Sequence, residues 1–224
     1  MGRWPYLAQV DAPAPPPMIT ARTMTVVCGR YTGAKRLPEA ETEADNLART
    51  YRGVPVEGLG RAVLRCLQGE PPGDIAHFAM HGKVDAGGTQ DGLLMVDGQW
   101  LDWVTVRGVE KLKPRLVFLN ACQVGQGQQV LGDYAGLAPA LLTNGASAVV
   151  APLWKVNDAV AHVFAEGFYQ AVLVDKVAPA EYLRRQRAAV RHTEGLPAGT
   201  VLAYLFFGHP LLHVEWTRGD HADV

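Results

Sequence analysis

Four continuous apolar runs constrain the fold of this chain more than any other feature. They lie within residues 24–28, 75–80, 115–120 and 147–153 and alternate with segments of helical periodicity. Strands that are apolar on both faces are typical of a parallel sheet with helices on both sides. We therefore predict one α/β domain over residues 22–214, a three-layer fold with a mostly parallel central sheet flanked by helices.

Apolar spacing and end residues predict the helices and one hairpin. Asp97-Gly98 between two apolar runs is typical of a two-residue hairpin turn, here joining 92–96 to 99–101. Gly145 and Gly195 follow helical patterns, as residues that end helices commonly do. The helical patterns cover residues 39–51, 59–67, 137–144, 158–172 and 179–192.

The two ends of the chain have a different composition. Residues 11–17 read Asp-Ala-Pro-Ala-Pro-Pro-Pro, which is typical of an extended linker. We predict an N-terminal linker over 1–21 and a C-terminal tail over 215–224. No stretch has the apolar length of a signal peptide or a membrane helix, so we expect a cytoplasmic location and no membrane partner.

Composition limits the function classes. The 224 residues are 48% hydrophobic and 19% charged, with a net charge of −1, which excludes wholesale disorder and gives no reason to expect a nucleic-acid partner. The three cysteines (Cys28, Cys66 and Cys122) form neither a disulfide framework nor a CxxC zinc motif. His77 and His81 are four residues apart, but in a strand pattern, so we expect no metal. We also expect no organic cofactor. His77 is expected to be a core histidine near the site.

Two reactive side chains follow predicted strands. His81-Gly82 follows the run 75–80, and Cys122 follows the run 115–120. Ligands and catalytic groups collect at the carboxyl ends of parallel strands, so the two meet if their strands are adjacent. An imidazole can deprotonate a thiol for nucleophilic attack, and backbone N–H groups of Gly82 and Cys122 can bind the resulting oxyanion.

The order of these motifs resembles the CHAT domain family of caspase-like cysteine peptidases, in the clan of caspases, separases and metacaspases. The resemblance extends over roughly 190 residues, with His81 and Cys122 at the family's catalytic positions. The matching stretches are His77–Gly82, Asp91–Met95, Leu116–Cys122, Gly136–Leu142, Ala151–Asp158, Phe168-Tyr169 and Phe207–Pro210.

The resemblance implies a caspase-like fold and a cysteine endopeptidase. It would cleave a protein partner through a thioester acyl-enzyme, in a bacterial signalling or defence system. It also implies a repeat-type sensor or regulatory domain or subunit that is absent from this chain. Asn120, Gln123, Trp154 and Asp158 are the predicted substrate-binding residues. Asn120 replaces the Asp by which metacaspases favour basic P1 residues, and Gln123 replaces a frequent acidic residue.

Other interpretations stay open at this stage. Asp158 can cap the helix that follows it, and Trp154 can belong to the core. A caspase fold that binds a partner without cutting it would use the same surface as a peptidase. A third possibility is an amidase that acts on small amides.

Overall fold

The computed structural model describes residues 2–3, 15–83, 92–121, 128–130, 133–192 and 195–217. A 3₁₀ turn occupies Gly33–Lys35, and a π-helical turn at Gln170–Val174 extends the fifth α-helix. The strands in these residues are β1 (Gly2–Arg3), β2 (Met18–Ala21), β3 (Met24–Cys28), β4 (Val54–Glu57), β5 (Ile75–Ala79), β6 (Gly82–Lys83), β7 (Gly92–Leu94), β8 (Trp100–Asp102), β9 (Leu116–Asn120), β10 (Gln128–Val130), β11 (Asp133–Ala135), β12 (Ala148–Pro152), β13 (Tyr204–Gly208) and β14 (His213–Trp216). The α-helices are α1 (Pro38–Tyr51), α2 (Gly60–Leu67), α3 (Trp103–Arg107), α4 (Leu137–Thr143), α5 (Asp158–Tyr169), α6 (Pro179–Ala189) and α7 (Leu196–Ala203).

The central sheet is mostly parallel. Its strand order is β1-β13-β12-β9-β5-β3-β4, and the strands from β12 to β4 all run in the same direction. β13 is antiparallel to β12, and the two-residue β1 pairs with β13. The predicted architecture is confirmed, with the four apolar runs forming β3, β5, β9 and β12.

Two apolar clusters lie on opposite faces of this sheet. Every residue of β5 and β9 is buried, and alternate residues enter different clusters. Phe78 and Val117 pack in the cluster that includes residues of α2 and α4, whereas Ile75 and Phe118 pack in the one that includes residues of α1, α5 and α6. This arrangement gives three layers and explains why the strands are continuously apolar.

Several elements at the margins of the sheet are absent from the predicted set. β4 is an edge strand that contains Pro55, and the outer position tolerates the missing N–H group. β13 and the helices α3 and α7 also have no counterpart among the predicted elements. The hairpin is confirmed, with β7 and β8 antiparallel and Gly98 at φ +82° in the turn.

Residues near both ends of the described chain join the fold. β2 and β14 form a parallel two-stranded sheet, in which Thr20 is opposite Glu215. These strands include residues 18–21 of the predicted linker and 215–216 of the predicted tail. In the residues described above, no helix is both long enough and apolar enough to cross a membrane.

Candidate active site

The two strands that precede the predicted reactive residues are neighbours. β5 and β9 are parallel, with Ala79 opposite Asn120, and the Met80 N–H donates to the Asn120 carbonyl at 3.3 Å. His81 follows Ala79 by two residues, as Cys122 follows Asn120 in the sequence. Cys122 and Gln123 themselves lie outside the described residues.

The imidazole of His81 is oriented by a backbone carbonyl. Its Nε2 lies 2.7 Å from the carbonyl oxygen of Lys35, the last residue of the 3₁₀ turn. A carbonyl oxygen can only accept, so Nε2 carries the proton and donates it. In the neutral ring, Nδ1 is then the nitrogen with a free lone pair, which is the state that a general base requires.

Tyr31 fixes the backbone beside this imidazole. Its hydroxyl accepts a hydrogen bond from the His81 N–H at 3.2 Å and donates one to the Leu94 carbonyl. The two rings are 4.7 Å apart between centroids, and Tyr31 is buried. Burial raises the pKa of Tyr31 to about 12, so the hydroxyl keeps its proton at neutral pH. Tyr31 and Lys35 are not among the predicted site residues, because no sequence motif marks them.

Gly82 presents its N–H group on the side away from the hairpin. It lies opposite Leu93 in an antiparallel pair, and the Leu94 N–H donates to the His81 carbonyl at 2.9 Å. In an antiparallel ladder, two opposite residues form a non-hydrogen-bonded pair when the hydrogen bonds join the residues on either side of them. The Gly82 N–H therefore does not point at β7.

At this edge of the sheet, the Lys35 carbonyl orients the imidazole of His81, and the Gly82 N–H points away from β7. The family model of the CHAT domain matches residues 9–210. The chain belongs to the CHAT domain family. A search of the curated proteins finds no match.

Solved structures share the fold of this CHAT domain. One is the Saccharomyces cerevisiae separase–securin complex, with a TM-score of 0.63 and 15% identity, where the match covers 90% of this chain and 13% of the other. Another is gingipain R, an Arg-specific cysteine proteinase, with a TM-score of 0.54 and 15% identity over 87% of this chain and 50% of that one. The CHAT domain therefore has the caspase-like fold and spans only part of these larger chains.

Asn120 faces the core of the CHAT domain. Its side chain is 8% exposed, and its amide nitrogen donates to Glu43 Oε1 at 2.9 Å and Oε2 at 2.7 Å. Its amide oxygen accepts from the hydroxyl of Tyr204. The prediction placed Asn120 among substrate-binding residues, but both ends of its amide are engaged by buried groups.

Asp158 and Trp154 follow β12 at the same edge of the sheet as His81. Asn157, rather than Asp158, caps α5, since its side chain accepts from the Val160 N–H at 3.2 Å. Asp158 Oδ2 accepts from the Glu39 N–H at 3.2 Å, and partial burial raises the pKa of this carboxyl. Trp154 is 41% exposed, and its Nε1–H donates to the Gly199 carbonyl at 3.0 Å, so the indole is held in place without being buried in the core.

The two described cysteines are core residues of the CHAT domain. Cys28 and Cys66 are buried, and burial raises the pKa of both thiols, that of Cys28 to about 11. A thiol with a raised pKa is a poor nucleophile at neutral pH. In the part of the chain that the structure describes, no group of three or more potential ligands could hold a metal ion.

Proposed function

We propose that this CHAT domain is a cysteine endopeptidase that cleaves a protein partner with a His81/Cys122 dyad. The observation that carries the proposal is the in-register pairing of β5 with β9, combined with the Lys35 carbonyl on Nε2 of His81. The pairing brings the strand before His81 next to the strand before Cys122. The carbonyl selects the tautomer whose Nδ1 can accept a proton.

The proposed reaction begins with transfer of the Cys122 thiol proton to Nδ1 of His81. The thiolate attacks the carbonyl carbon of the scissile peptide bond, and the N–H groups of Gly82 and Cys122 stabilise the oxyanion. His81 returns the proton to the leaving amine as the C–N bond breaks, which leaves a thioester. Water then hydrolyses the thioester, with His81 again as base. No cofactor enters any step.

The substrate groove is proposed to include Trp154 and Asp158, with Gln123 beside the nucleophile. The exposed indole offers an apolar surface, and the Asp158 carboxyl offers an acceptor at the same edge of the sheet. The separase structure holds its partner securin. For this chain we likewise propose a protein substrate, with a sensor or regulatory partner, in a bacterial signalling or defence setting.

The test is the alkylation rate of each cysteine against pH, measured by mass spectrometry in the wild type and in His81→Ala. Cys28 and Cys66 serve as internal references because burial raises the pKa of both. We expect Cys122 alone to react fast below about pH 8 and to lose this advantage in His81→Ala. A wild-type Cys122 no faster than a thiol in the unfolded chain would refute the dyad.

A second assay separates a peptidase from a binding module. A bound protein is recovered cut by the wild type and intact with Cys122→Ala if the proposal holds. A partner that the wild type retains and never cuts, although Cys122 is activated, would favour the interaction module.

A further inference from the structure

A buried carboxyl group contacts the last residue of β9. Glu43 is fully buried on α1, with Oε1 2.7 Å from His77 Nε2. Asn120 donates to both of its oxygens, and Tyr204 donates to Asn120 from the other side. His77 in turn contacts the Tyr169 hydroxyl through Nδ1 at 3.1 Å. The five side chains join α1, α5 and three strands of the sheet.

An apolar cluster in place of the whole network would be buried at lower cost in free energy. Burial raises the pKa of the Glu43 carboxyl, while the contacts with His77 and Asn120 act in the opposite direction. Burying a carboxyl costs free energy even when its hydrogen bonds are made, and replacing all partners of a buried charged network with well-packed apolar residues is often neutral or stabilising. The network therefore calls for an explanation other than stability.

The position of α1 supplies that explanation. Lys35, whose carbonyl orients His81, lies three residues before Pro38, where α1 begins. Glu43 on the same helix holds Asn120, the last residue of β9. Cys122 follows Asn120 by two residues in the sequence. The stretch from Lys35 to Glu43, which includes the start of α1, thus contacts both segments of the proposed dyad.

We infer that Glu43 is a positioning residue, which acts through Asn120 to fix the direction in which the chain leaves β9 toward Cys122. The inference rests on the proposed peptidase function. Asn120 acts as the connecting group: its two N–H bonds hold it to α1, and its oxygen holds it to β13 through Tyr204. The chain after Asn120 therefore starts from a position fixed on both sides.

The test exchanges the two interacting groups. Asn120→Asp places two carboxyls face to face, whereas the double variant Glu43→Gln/Asn120→Asp restores one amide and one carboxylate with their positions swapped. The readouts on the full chain are the Cys122 alkylation rate at neutral pH and the free energy of unfolding. We expect Asn120→Asp to slow Cys122 about tenfold, the effect of one unit in thiol pKa, and the double variant to recover most of that rate.

A milder pair of variants covers the case in which Asn120→Asp does not fold. Tyr204→Phe removes the hydroxyl that bonds Asn120, and the matched control Tyr182→Phe removes a buried hydroxyl that donates to the Phe164 carbonyl at 3.0 Å. Both variants should lose similar stability, but only Tyr204→Phe should slow Cys122.

The outcomes distinguish this inference from the proposed function. If wild-type Cys122 is activated and remains so in folded Asn120→Asp and in Tyr204→Phe, the network is only structural and the inference is wrong. If wild-type Cys122 is not activated, the proposed function fails, and the positioning role fails with it.

Discussion

Replacing Gly29 with alanine should disturb His81 without contacting it. A Cβ atom at position 29 would lie 2.5 Å from both Cζ and the hydroxyl oxygen of Tyr31, so the ring must move. The same hydroxyl accepts from the His81 N–H and donates to the Leu94 carbonyl. Gly29→Ala should therefore weaken both hydrogen bonds and release the backbone of His81.

The magnitude follows from three contributions. Overpacking a buried position costs about 1–3 kcal/mol, and each hydrogen bond contributes about 1 kcal/mol. Alanine restricts the unfolded chain, which offsets about 0.4–1 kcal/mol. The net loss should be about 3 kcal/mol, which lowers the Tm of a domain of this size by about 6–12 °C.

Urea unfolding gives the stability of Gly29→Ala, and mass spectrometry gives the alkylation rate of Cys122. The matched control is Gly199→Ala, because a Cβ at Gly199 in α7 meets nothing within 4 Å. Alanine favours a helix over glycine by about 0.5–1 kcal/mol, so this control should gain stability and keep the reactivity of Cys122. A Gly29→Ala variant with unchanged stability and an unchanged alkylation rate would contradict the role assigned to Tyr31.

Three further predictions concern stability, each measured by urea unfolding. The raised pKa of Glu43 means that the folded state binds a proton more tightly than the unfolded state. The wild type should therefore lose stability relative to Glu43→Gln as pH rises above 4.5. A stability difference between the two proteins that stays constant with pH would contradict this. Partial burial opposes the charge on His162, but Glu39 and Glu166 raise its pKa, so the wild type should lose stability relative to His162→Gln as pH rises above 6.5. Equal pH profiles of the two proteins would exclude the effect. Asp74 Oδ2 accepts hydrogen bonds from the backbone N–H groups of Arg22 and Thr23 and from the Thr23 hydroxyl. Asp74→Ala should therefore lower the free energy of unfolding by about 3 kcal/mol. A loss below about 0.5 kcal/mol would show that water replaces these hydrogen bonds.

Sequence patterns predict the elements of this fold where the information is local. The continuous apolar runs that become β5 and β9 are buried on both faces because the sheet is covered on both sides. The Asp97-Gly98 turn forms because glycine reaches φ +82° without steric cost. In contrast, β4 is only four residues long and contains Pro55, so its place in the sheet depends on pairing with β3.

The surroundings of the candidate site depend on contacts distant in sequence. Lys35 acts through its backbone carbonyl across 46 residues, which no side-chain pattern can reveal. Tyr31 reaches His81 across 50 residues and resembles any other apolar position. Glu43 had a detectable feature, because it lies on the face of α1 that buries Ala40 and Leu47. An acidic residue within an apolar stripe predicts a buried polar contact, although not its partner.

The proposed site can be disturbed on one side or on both sides, depending on which contact is changed. Tyr31 contacts the His81 side, whereas the stretch from Lys35 to Glu43 contacts both sides, His81 through the Lys35 carbonyl and Asn120 through Glu43 on α1. α1 is itself tied to α5, since the Glu39 N–H donates to Asp158 and the Glu39 carboxylate contacts His162. A partner that shifts α5 would therefore move the orienting groups of both residues together. Such a shift would change the reactivity of Cys122 without any contact at the edge of the sheet where substrate is proposed to bind.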